Sequence, residues 1–263
     1  MAHDRFNEIS DDVIRIDFGM VACYLIKFGT WYVQVDTGYI NDFQKYIRAL
    51  QENGIKLSDI KYVFLTHHHD DHGGMLSALA ELNPEVKIIA HKKSAYGLAL
   101  GRNILKTSAR CPNLLCVFLL RMKKLDKTWT HKFPAFTFRE TDILIDDNND
   151  GMPLDSLGIK NGVVICTRGH SEDHISLVFP GGNAFVGDAA VNFLAWTRTF
   201  HTETYIEDLQ TYYNDWKRLD DMFNVKTIYP SHGRPFGINL LLKDIGRIKH
   251  TRRFPKVTDW MCD

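Results

Sequence analysis

No stretch of this chain approaches the ~18 uninterrupted apolar residues that a membrane-spanning helix needs. The longest candidate, residues 114–120, is far too short, so no membrane partner is expected. Net charge is missing as well: Lys+Arg and Asp+Glu both total 32. Without an excess of positive charge there is no global field to gather phosphates, and nucleic acid is a disfavoured partner. The first twelve residues, MAHDRFNEISDD, are polar and acidic rather than basic and then apolar, so they do not read as a secretory leader and a cytoplasmic protein is expected. The five cysteines (Cys23, Cys111, Cys116, Cys166 and Cys262) lack the paired CxxC spacing of a structural zinc site. Reduced thiols fit best, with Cys23 and Cys166 read as small buried hydrophobes within strands.

What remains is an ordinary globular composition, 44% hydrophobic, in which period-2 and period-3.6 patterns alternate. Residues 13–18, 21–26 and 31–35 read as an antiparallel meander broken at Gly19 and Gly29. A helix is predicted over 41–53, capped by Asn41 and stopped at Gly54. A strand at 62–65 runs into Thr66-His-His-His-Asp-Asp-His-Gly-Gly, followed by helical spacing from Met75, a strand at 86–90 and a helix from about Lys92. Residues from about 101 to 135 interrupt the rhythm and read as a helical insertion, either an ordinary core helix with a basic end (Arg121, Lys123, Lys124, Lys127) or a substrate lid walled by Leu114, Phe118 and Leu119.

Strands at 163–167, 175–179, 184–186 and 225–229 open a second β-rich half. Thr204 to Glu207 predicts a capping box, and a last helix is predicted from about Asn239. The two halves share an order: strands, a helix, then a strand that delivers histidine at its carboxyl end. The expectation is α/β, two sheets face to face with helices outside in a four-layer αββα sandwich, residues 1–263 forming a single domain.

Four histidines and two aspartates within His67–His72 are hard to accommodate by packing alone, because so many polar groups need partners. A metal is the economical answer. Alternate residues of an extended segment point the same way, so His67 and His69 can reach one ion together while Asp71 and His72 turn toward a second. His68 and Asp70 face away and take structural or orienting roles. An acidic run, Asp146 to Gly151, matches only half of a calcium loop, because Leu157 stands where the bidentate glutamate belongs.

The run HxHxDH resembles the signature of the metallo-β-lactamase-fold hydrolase superfamily. The likeness continues at His170, at Asp188 in Val-Gly-Asp-Ala and at His232 in Pro-Ser-His-Gly, with Asp36 in Val-Asp-Thr-Gly as a further shared element. It implies that His67, His69 and His170 bind one divalent ion and Asp71, His72 and His232 a second, with Asp188 as the bridge. It also implies that Asp71 handles the proton. The ligand types suit zinc first, with iron or manganese as alternatives. Such a site holds a hydroxide between two ions and hydrolyses acyl compounds.

Departures from subfamily patterns narrow the reading. Glyoxalase II continues past the last histidine with a glutathione-binding helical domain, whereas 31 residues follow His232 here, which weakens that expectation. Val191 occupies the position where acyl-homoserine lactonases commonly carry tyrosine. The run Gly169-His-Ser-Glu-Asp-His174 is similar to the thioesterase-like quorum-signal proteins of the superfamily. True β-lactamases of this fold lack the bridging aspartate. The expected partner is a small acyl molecule, lactone or thioester; the alternatives are an RNA or phosphodiester hydrolase and a metal-loaded interaction protein without activity. His174 is assigned either to orienting a ligand or to packing, and His201 to an exposed loop.

Overall fold

The computed structural model describes residues 6–10, 12–125, 130–248 and 254–256, arranged as two compact units. Cys262 and Lys127 lie outside the described residues.

The first unit comprises residues 1–103 and 131–148. Its seven-stranded sheet follows chain order: β1 (Phe6–Ser10), β2 (Val13–Asp17), β3 (Ala22–Phe28), β4 (Trp31–Val35), β5 (Ile60–Phe64), β6 (Lys87–His91) and β7 (Ile143–Ile145). The first four strands pair antiparallel through short connections, turning at Gly19 between β2 and β3 and at Gly29 between β3 and β4. From β4 onward the pairing is parallel, because helices make the crossovers. These are α1 (Phe43–Glu52), the single turn α2 (Asp70–Gly73), α3 (Leu76–Leu82) and α4 (Ser94–Leu100). Tyr46, Ala49 and Leu50 of α1 join Leu76 and Leu79 of α3 against Leu25, Val63 and Ile88 of the sheet.

Asn41 does not cap α1. It sits inside a 3-10 turn at Ile40–Asp42, and the residue preceding the helix is Asp42, whose side chain makes no cap bond. The predicted stop holds, with Gly54 at φ +68°. One glycine is required by close approach: a Cβ on Gly97 of α4 would lie 2.3 Å from the His68 ring. His68 is thus a packing residue, and Asp70 is an anchored one. The Asp70 N–H donates to Asn103 Oδ1 at 2.8 Å, and Asn103 Nδ2 donates back to the Asp70 carboxylate at 2.8 Å.

The second unit comprises residues 104–130 and 149–263. Its six strands also follow chain order: β8 (Met152–Pro153), β9 (Val163–Cys166), β10 (Ile175–Val178), β11 (Asn183–Gly187), β12 (Thr227–Pro230) and β13 (Phe236–Gly237). β9, β10 and β11 pair antiparallel and β11 pairs parallel with β12, so β9, β11 and β12 all run the same way. Their carboxyl ends therefore lie on one end of this sheet. Helix α6 (Leu209–Asp221) and helix α7 (Asn239–Ile248) cover it, with Trp216, Leu219, Leu241 and Ile245 against Val186 and Ile228. The cap of α6 is Asp208, whose carboxylate accepts the Thr211 N–H at 3.0 Å, and not Thr204. Thr204 instead bonds Glu203.

The insertion contains α5 (Leu114–Lys124), capped by Asn113. Its inner residues Cys116, Val117 and Leu120 pack with Cys111 and Tyr205, whereas Leu114 and Phe118 are exposed and Leu119 is half-buried. Cys23, Cys111, Cys116 and Cys166 are all buried, as read for Cys23 and Cys166. Among the described residues no helix is long and apolar enough to cross a membrane.

Candidate metal centre

In the first unit the candidate residues follow the carboxyl ends of the neighbouring parallel strands β4 and β5, where open α/β sheets place their ligands. Asp36, one residue past β4, is in the left-handed region at φ +57° and fully buried. Its carboxylate accepts the Thr66 N–H at 2.8 Å, the Thr66 hydroxyl at 2.9 Å and His72 Nδ1 at 2.8 Å. A carboxylate accepts only, so Nδ1 of His72 carries the proton and its Nε2 presents a lone pair. The same logic holds one step away. Because the Thr66 hydroxyl gives its proton to Asp36, it accepts from His67 Nδ1 at 3.0 Å, which turns the lone pair of His67 to Nε2.

That Nε2 lies 3.0 Å from Nδ1 of His69. Two nitrogens each ~2.0–2.1 Å from one ion stand about 3.0–3.4 Å apart, so this pair has the spacing of one edge of a coordination shell. Asp71 is close by, its Oδ1 3.6 Å from His72 Nε2 and its Oδ2 3.5 Å from the Tyr39 hydroxyl.

In the second unit His170, Asp188 and His232 follow β9, β11 and β12, and so gather at one end of the sheet. His170 Nδ1 donates to the Tyr205 carbonyl at 2.9 Å, an oxygen with no proton to give, so its Nε2 is the acceptor nitrogen. That Nε2 is 3.6 Å from Asp188 Oδ2, while His232 Nε2 is 3.5 Å from Asp188 Oδ1. Each oxygen of Asp188 thus faces a different imidazole. His174 is fully buried and accepts the Asp188 N–H, and its Nδ1 meets the Thr167 hydroxyl at 2.8 Å. Both of its ring nitrogens are thus engaged, one of them by the main chain of Asp188. His201, read from sequence as an exposed loop residue, is instead half-buried. Its Nδ1 lies 2.7 Å from Asp244 and its ring centroid 4.4 Å from that of Phe236.

Sequence reading missed Glu203. It is 5% exposed, and one ligand atom from each of Asp188, Glu203 and His232 lie within 4.8 Å of one another. Burial first, then the Asp188 carboxylate, push the Glu203 carboxyl up to about 7, against the pull of His232 and of its bonds to Thr204. The role of the Tyr205 carbonyl was missed too, since no motif records a main-chain oxygen.

In each unit imidazoles converge with a carboxylate, a donor set suited to divalent ions, and His67, His72 and His170 have their tautomers set by neighbours. The sequence profile described as the metallo-beta-lactamase superfamily matches residues 16–232. The chain belongs to that superfamily. By that membership it is a metal-dependent hydrolase, and its two sheets flanked by helices give the α/β class expected from the sequence.

Among relatives, the probable metallo-hydrolase YqjP of Bacillus subtilis is 27% identical over 249 residues, which cover 86% of this chain and 73% of that protein. The lactamase-like protein adaB of Aspergillus niger is 24% identical, covering 80% of this chain and 49% of its own length. The chain thus spans about half of adaB. BJP-1, a subclass B3 metallo-beta-lactamase of Bradyrhizobium japonicum, superposes with a TM-score of 0.59 at 18% identity, over 87% of this chain and 77% of that one. At that identity the likeness carries the fold alone.

Proposed function

We propose that this superfamily member is a two-metal hydrolase of small acyl compounds, a lactone or a thioester. In this reading His67, His69 and His170 hold one ion, Asp71, His72 and His232 hold the other, and Asp188 bridges them. The proposal rests on the family's ordered motifs together with one observation in the second unit: the two oxygens of Asp188 face the Nε2 atoms of His170 and His232 separately.

When bound, the ions would supply an activated water and a Lewis acid for the acyl oxygen. The chain's own residues do the rest. Asp36, Thr66 and the Tyr205 carbonyl fix the proton on Nδ1 of His72, His67 and His170, so each presents Nε2 without tautomeric search. Asp71, at 15% side-chain exposure, is the proton carrier, open enough to exchange its proton with a leaving group. Phe193 lies with its ring 5.2 Å from that of His232, an apolar surface suited to an acyl chain or lactone ring. The balance of charge, 32 against 32, supports a neutral substrate over a polyanion.

The test is an activity panel of lactones, acyl thioesters, a bis-aryl phosphodiester and a cephalosporin, on protein of known metal content. The expected order places an acyl substrate first by kcat/KM. A phosphodiester in first place would transfer the chain to the nuclease branch, and no turnover by fully metallated protein would favour an interaction protein.

A further inference from the structure

Glu203 belongs to none of the motifs that carry the family likeness. The loop that delivers it is unusual: Arg198, Phe200 and His201 stand at φ +59°, +53° and +56°. Three non-glycine residues in the left-handed region within four positions are sterically unfavourable and persist only when the surroundings hold them. Those surroundings are visible. The Glu203 N–H donates to the Tyr212 hydroxyl at 3.0 Å, and that hydroxyl donates to the Asp188 carbonyl at 3.1 Å. One phenol thus ties the backbones of both acidic residues.

The carboxylate itself is divided. Oε1 accepts the N–H and the hydroxyl of Thr204, each at 2.6 Å, whereas Oε2 is buried without a hydrogen-bond partner among the described residues. A buried carboxylate oxygen left unpaired beside a second carboxylate is unfavourable on both counts, and a cation relieves both.

We propose that Glu203 is a further metal ligand, giving a carboxylate oxygen to the ion held by Asp188 and His232 and biasing that position toward manganese(II) over zinc(II). The proposal rests on the two-metal reading. Each oxygen added to an imidazole set makes it a better home for a harder ion with a larger coordination shell. Thr204 keeps Glu203 from swinging away, since Oε1 is occupied and only Oε2 can turn to the ion.

The experiment strips the full chain of metal and reloads it with manganese(II) or zinc(II) alone, reading binding by calorimetry and free manganese by electron paramagnetic resonance. Glu203→Gln is isosteric and keeps an amide oxygen for Thr204. It should lower manganese(II) affinity at one of two positions by tenfold or more and zinc(II) affinity by less than threefold. Equal manganese(II) binding by wild type and E203Q would overturn the proposal. Wild type that takes up fewer than two ions would overturn the two-metal reading instead, so the two failures are distinct. Cobalt(II) titration of the wild-type chain needs no variant. One of its two ions should give the weak visible absorption of a five- or six-coordinate site, and an intense four-coordinate spectrum for both would also sink the assignment.

Discussion

His174 accepts the backbone N–H of Asp188 on its Nε2, at 3.2 Å. The acidic residue is therefore held by its main chain, and both of its oxygens are left for other tasks. A relay runs behind this contact, from His174 Nδ1 to the Thr167 hydroxyl and on to Ser176 Oγ at 2.7 Å. Because His174 touches no ion in our reading, it is a positioning residue. Its substitution by alanine should weaken metal affinity by ~10–100-fold while leaving every ligand in place. Chelator competition checks this, and unchanged affinity would return His174 to simple packing.

Asp188→Ala should be more drastic. Wild-type protein purified without chelator is expected to contain two divalent ions per chain, and the variant about one, with most activity lost. Elemental analysis gives both numbers. A variant with normal metal content would show that the bridge is misplaced.

Gly169→Ala probes the step before His170. A Cβ there would fall 2.3 Å from Tyr212 Cα and 2.5 Å from Tyr212 N, backbone atoms of α6 that cannot step aside. The Gly169 carbonyl also receives the Asp208 N–H at 2.9 Å. Overpacking of this kind costs about 1–3 kcal/mol. Urea unfolding should show that loss, together with a reduced metal content if His170 is displaced.

Asp215 of α6 gives a pH signature away from the candidate ligands. Burial raises its carboxyl to about 7, against the pull of Arg218. The folded chain therefore holds a proton that the unfolded chain releases near its ordinary value of 3.8. By linkage this contribution to stability is fully present below about 4 and is lost as pH rises through about 7. Asp215→Asn removes the dependence. The difference in Tm, variant minus wild type, should increase from pH 4 to pH 8, and a flat difference would count against a protonated Asp215.

The seven candidate ligands stood out in the sequence because strands end abruptly and alternate. Asp188 comes directly after β11, and His67 and His232 come within three residues of the ends of β5 and β12. Most strands and helices were legible for the same reason, as at Trp31–Val35. What escaped had no period. Glu203 reaches its place through a loop of left-handed residues, and left-handed geometry at arginine, phenylalanine and histidine leaves no compositional trace. Tyr205 acts through its carbonyl. Asp208 displaced Thr204 as a cap because Thr204 is engaged by Glu203, a contact that sequence spacing cannot report. The strand at Phe6–Ser10 was passed over within a polar terminus.

The contact between Gly97 and His68 carries a message about ancestry. A side chain at 97 requires the imidazole at 68 or helix α4 to shift, so position 97 is not free to enlarge while that ring keeps its place. Relatives that have gained a residue larger than glycine at 97 should have surrendered the middle histidine of the triplet for something smaller. The dependence runs one way: a ring at 68 dictates glycine at 97, whereas glycine at 97 leaves 68 open to any smaller residue.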